Sequence, residues 1–104
     1  MEYLTSNVKT IIAHYFPTET EWATHQLHSY CEYMSKYISE ETTPASFERF
    51  CLAILKIGRT SKDKFIQAIE LGKSDYRDLL VAAGFGNSTT SHKDWANKIL
   101  KKET

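Results

Sequence analysis

Four side chains have the types and spacing that metal chemistry uses: Glu21, His25, His28 and Glu32. Steps of four, three and four residues, at roughly 100° per residue, set all four on one narrow stripe of a helix. Imidazole nitrogens and carboxylate oxygens are ligands for zinc or iron, and residues four apart can reach one ion from the same helix. The stripe lies opposite the apolar face of its helix, and no second helix contributes ligands to it. Glu and His at these spacings also form ordinary helix-surface pairs. The expectation is a solvated face with no bound metal, and a metal-binding helical protein is kept as an alternative.

Covalent and acid–base chemistry find less to work with. A nucleophile needs a base beside it and a third group to hold that base, and the chain has no G-x-S-x-G elbow. The glycine pair in Gly84-Phe85-Gly86 follows a helix instead of joining a strand to one, so it reads as a helix cap and not as a phosphate-binding loop. Asp75, Arg77 and Asp78 could move protons in a cleft, but their place in a first helical turn is explained by capping and by the helix dipole. Cys31 and Cys51 sit at helical positions among apolar neighbours without a metal-type spacing, and are read as small buried hydrophobes. The chain is expected to be non-enzymatic and to carry no cofactor.

Binding surfaces remain. The formal net charge is zero, so the whole chain exerts no general attraction on nucleic acid or anionic membrane. Its halves differ, with a balance of minus four through Ala45 and plus four from Ser46 onward. Lys56, Arg59, Lys62 and Lys64 crowd one interhelical turn, and Lys98, Lys101 and Lys102 load the last helix. Cations near helix C-termini are favoured by the dipole alone. A nucleic-acid-binding regulator using Lys56, Arg59, Lys62 and Lys64 is a second alternative. A helix-turn-helix pivoting on Gly72 would aim Asp75 and Asp78 at phosphates with only Arg77 to oppose them, which is repulsive. Trp22 and Tyr33 flank the apolar stripe of the second helix beside Glu21 and Glu32. Aromatic residues next to acidic ones suit a protein interface.

The elements that must position these residues all read as helices. A first helix, about Ser6 to Phe16, carries Val8, Ile11, Ile12, Tyr15 and Phe16 at three- and four-residue steps and ends at Pro17. Thr18 with Glu21 forms a capping-box pattern for a long second helix, about Glu19 to Ser39, whose stripe is Ala23, Leu27, Tyr30, Cys31, Met34, Tyr37 and Ile38. Thr43 before Pro44 opens a third helix through about Ile57, closed by Gly58. Thr60 with Asp63 begins a fourth, for which Gly72 can take the left-handed C-terminal position. Ser74 with Asp78 starts a fifth, closed by Gly84 with Phe85 packing back. Ser91 with Asp94 caps a last helix bearing Trp95, Ile99 and Leu100.

The 104 residues, 41% hydrophobic and 25% charged, suit one globular core. The fold expected is all-α, a compact bundle or orthogonal array of about six helices forming a single domain over residues 1–104. The core is placed on Phe47, Phe50, Ile54, Leu55, Phe65, Ile66, Ile69, Leu79, Leu80 and Phe85. The N-terminal residues lack the basic start and apolar run of a secretion signal, and no stretch approaches the roughly eighteen apolar residues of a spanning helix, so a cytoplasmic location is expected.

The segment from Leu52 to Phe85 contains LAILK and then DYRDLLVAAGF. On those residues it resembles short bacterial helical proteins of unassigned function. The resemblance implies a bacterial cytoplasmic origin and a compact helical unit, and it transfers no catalytic residue. The leading expectation is a protein-binding module of the kind a small bacterial regulator or immunity-type inhibitor would be. Glu21, Trp22, Glu32 and Tyr33 would meet a basic protein partner by surface complementarity.

Overall fold

Proline and paired polar caps cut the chain into six helices within residues 2–37, 44–86 and 90–103, which the computed structural model describes; no strand occurs among them. Helix α1 spans Ser6–Tyr15, where Thr5 accepts a hydrogen bond from the Val8 N–H at 3.3 Å. Helix α2 spans Thr20–Ser35 and starts without the expected capping box. The turn after Pro17 is closed by the Glu19 N–H donating to the Phe16 carbonyl at 3.1 Å, and Thr20 donates its hydroxyl to that same carbonyl at 2.7 Å. Thr18 is left outside the helix it was expected to cap. Helix α2 also ends earlier than its apolar stripe suggests. Tyr37 lies beyond the last turn and is 68% exposed, while Ile38, Ser39 and Thr43 fall outside the described residues.

Helix α3 spans Pro44–Gly58 and is the axis of the molecule: Phe47, Cys51, Leu52, Ala53, Ile54 and Leu55 are fully buried, and it packs against α4, α5, α1 and α6. Gly58 does not supply the left-handed residue; Arg59 does, at φ +48°. What Gly58 supplies is closeness, since a Cβ there would lie 2.7 Å from the Phe65 Cα. Helix α4 spans Lys62–Ser74, with Ser61 instead of Thr60 accepting from the Lys64 N–H at 3.3 Å. Gly72 does not end α4 in a left-handed turn. It lies inside the helix, where a Cβ would stand 2.6 Å from the Tyr30 hydroxyl and 2.9 Å from Leu79 Cδ2.

Helix α5 spans Tyr76–Ala83, capped by the Asp75 carboxylate, which accepts from the Arg77 N–H at 2.9 Å. Gly84 takes the left-handed position, φ +81°, and Phe85 folds back with its N–H donating to the Leu80 carbonyl at 2.8 Å. That glycine cap matches the sequence expectation in full. Helix α6 spans Ser91–Glu103; the Thr90 carbonyl accepts from Lys93 and Asp94 at 3.0 and 3.1 Å, so Thr90 holds the place expected for Ser91.

The expected core residues are buried except Phe50 and Ile66, which are half-buried at its margin. The core is wider than expected. Val8, Ile11 and Ile12 of α1 and Leu27, Tyr30 and Cys31 of α2 are fully buried in the same cluster. A Cα radius of gyration of 12.5 Å matches the roughly 13 Å of a well-packed chain this long.

Candidate functional site

Helices α2 and α4 lie side by side and run the same way, because Trp22 meets the start of α4 and Tyr33 its end. Lys62 Nζ sits 4.6 Å from the centre of the Trp22 ring and pairs with Glu19 at 2.7 Å. Three helical turns on, Lys73 Nζ sits 5.3 Å from the centre of the Tyr33 ring and lies 3.9 Å from Glu70. Both aromatic residues are therefore roofed by lysines of α4. Trp22 is further anchored on Phe65 and Phe16, with ring centres 5.5 and 5.9 Å away. Ammonium groups over indole and phenol faces are attractive contacts that also shield the rings.

The four residues expected to form one partner surface divide between the two ends of α2. Glu21 and Trp22 border a shallow depression of about 460 Å³ with Pro17, Thr18 and Lys62. Glu32 is exposed beside Tyr33, which lines a different groove, also about 460 Å³. Eleven residues separate the two clusters, about 16 Å along a helix. The second groove runs between the end of α2, the end of α4 and the start of α5. Its walls are Tyr33, Met34, Tyr37, Tyr76, Lys73 and Arg77, with Gly72 in its lining. Tyr33 and Tyr37 pack with ring centres 4.7 Å apart, and the hydrogen bond between them pushes the Tyr33 hydroxyl pKa upward. Arg77 lies 5.9 Å from the centre of the Tyr76 ring, which in turn meets Phe50 edge-on at 5.4 Å. Tyr37 and Tyr76, at 68% and 38%, are among the exposed large apolar side chains. Helical spacing alone places Tyr37 on the buried stripe of α2 and gives no sign of this groove; the chain leaving α2 at Lys36 is what turns Tyr37 outward.

The histidine stripe borders a third depression, of about 570 Å³, where Glu21, Thr24, His25 and His28 of α2 face Glu2, Leu4 and Lys9. Tyr3 meets His28 edge-on at 5.1 Å, and Glu2 is held by Lys9 at 2.8 Å, which keeps its carboxyl below its ordinary pKa. Among the described residues no three His, Cys, Asp or Glu side chains converge as a metal-binding group. The basic turn has its own contacts. Lys56 Nζ lies 5.0 Å from the centre of the Phe85 ring, Lys62 is engaged with Glu19 and Trp22, and Arg59 and Lys64 are exposed. Asp75 is occupied in capping α5.

Comparison with known proteins finds no matching protein family and no significant match among curated proteins or solved structures. Among the described residues no helix is long and apolar enough to cross a membrane.

Proposed function

We propose that the chain is a non-enzymatic protein-binding module whose contact surface is the tyrosine groove between α2, α4 and α5. The supporting observation is the gathering of Tyr33, Tyr37 and Tyr76 with Met34 and Arg77 around one open groove, two of the rings being well exposed. Tyrosine, methionine and arginine are enriched at protein interfaces, where rigid amphipathic rings add contact area at small entropic cost. The phenol hydroxyls offer hydrogen bonds to the backbone of a partner segment, and the groove takes its apolar anchor. Lys73, which pairs with Glu70, and Arg77 line the groove, and their charge helps to orient a partner.

Of the four residues expected to meet a partner, Tyr33 lines the groove with Glu32 beside it, and Glu21 and Trp22 lie on a separate surface. A regulator or immunity-type inhibitor acting by surface complementarity is the corresponding biological role, with a protein as partner. The test is affinity capture from the source cells with the wild-type chain, Tyr37→Ala/Tyr76→Ala and Glu21→Lys. The partner should be lost with the tyrosine double variant and kept with Glu21→Lys. Capture that is indifferent to the double variant, or no capture above that of an unrelated helical protein, would remove the reading.

A further inference from the structure

Helix α2 packs mainly on α1 and α4, yet at one point it meets α3 through sulfur. Cys31 Sγ and Cys51 Sγ lie 3.5 Å apart, both residues are wholly buried, and both thiols are free. A disulfide requires about 2.05 Å, so each sulfur has to move by only about 0.7 Å, a displacement that side-chain rotation and slight helix sliding can supply. The two cysteines are 20 positions apart in sequence, and the connection between α2 and α3 lies between them. A bond here would staple the two helices and close that loop.

We propose that Cys31 and Cys51 form a dithiol that converts to an intramolecular disulfide by exchange with a low-molecular-weight disulfide. In the first step one cysteine gives up its proton and its sulfur attacks a sulfur of the reagent, which breaks the reagent S–S bond and releases one thiolate. In the second, the other cysteine gives up its proton and attacks the protein sulfur of the mixed disulfide, expelling the second reagent thiolate. Two S–H bonds become one S–S bond, and the reagent is reduced to two thiols that take up the two protons. The hydrogen bond with the Cys31 thiol, and after it burial, hold the Cys51 pKa well above its ordinary value, because both favour the protonated thiol. The first step therefore runs through a local opening of α2 from α3. Reclosure then sets the two sulfurs against each other and favours the second step over release of the mixed disulfide. The redox state of the chain records whether this contact has opened in an oxidising medium.

The test uses the full chain incubated with oxidised glutathione, with and without a low concentration of urea that promotes opening. The expected product has lost two hydrogen masses, carries no glutathione, and melts about 10 °C or more above the reduced chain, as the entropy of a closed loop of this size implies. Cys31→Ser and Cys51→Ala should show neither the mass loss nor the melting shift. Glutathione adducts in place of the mass loss, an unchanged mass in urea, or a disulfide form that melts below the reduced one would each overturn the proposal.

Discussion

Tyr30 places its hydroxyl in the core with no hydrogen-bond partner among the described residues, and burial raises its pKa strongly. A buried polar group left unpaired costs stability, so Tyr30→Phe should leave stability unchanged or raise it by up to about 1 kcal/mol in urea unfolding. Gly72→Ala drives a methyl group against that hydroxyl and Leu79 and should cost about 1 to 3 kcal/mol. In the double variant Tyr30→Phe should recover part of the loss, since the closest clash is with the hydroxyl oxygen; strictly additive effects would place the strain elsewhere. Gly72 shows why a residue type can be legible while its role is not. A glycine near a helix end suggests a left-handed cap, but the requirement here comes from α2, far away in sequence.

His92 gives a pH-dependent counterpart. It is 6% exposed, packs against Phe85 with ring centres 6.2 Å apart, and has its pKa lowered by burial. Glu48 and Asp94 push it up in opposition, while Arg49 and Lys93 reinforce the lowering. The folded chain therefore holds this imidazole neutral where the unfolded chain binds a proton. Its contribution disfavours folding as pH falls below the ordinary histidine value of 6.5. The melting temperature should decline from pH 8 toward pH 5, and His92→Gln should flatten that decline; an equal slope in the variant would assign it to other groups.

At the level of helices, α3 carries the most burial, so Ile54→Ala should cost about 2 to 5 kcal/mol while Val81→Ala, at a site 68% exposed, should stay within about 0.5 kcal/mol. Asp75→Ala removes the α5 cap and should cost about 1 kcal/mol. Urea unfolding of the three variants checks the order. The six helices were legible because apolar steps of three and four residues alternate with Pro17, Pro44, Gly58 and Gly84. Individual caps were less so: Ser61, Asp75 and Thr90 displaced neighbours of similar chemistry by one residue, a difference set by turn geometry. The pairing of α2 with α4 could not be read locally. One signal was present, since Trp22 to Tyr33 and Lys62 to Lys73 are both steps of eleven residues, as two parallel helices in register require.

For the whole molecule, burial of α1 and α2 beside α3 to α5 explains why the expected partner surface came apart. Packing the aromatic flank of α2 against α4 half-buries Trp22 under Lys62 beside one depression and leaves a separate groove at the far end, around Tyr37 and Tyr76. Two exposed positions allow that groove to be tested against an equally accessible control. Tyr37 borders the groove and Val81 does not, and each is 68% exposed. Val81 lies five residues beyond Tyr76 on α5, turned by about 140° around the helix. A photo-crosslinking amino acid placed at 37 or at 81, expressed in the source cells and irradiated there, reads the contact directly. Position 37 should yield a discrete crosslinked protein species that position 81 does not. No crosslinked species at 37, or the same species at both positions, would contradict the assignment of the tyrosine groove as the binding surface.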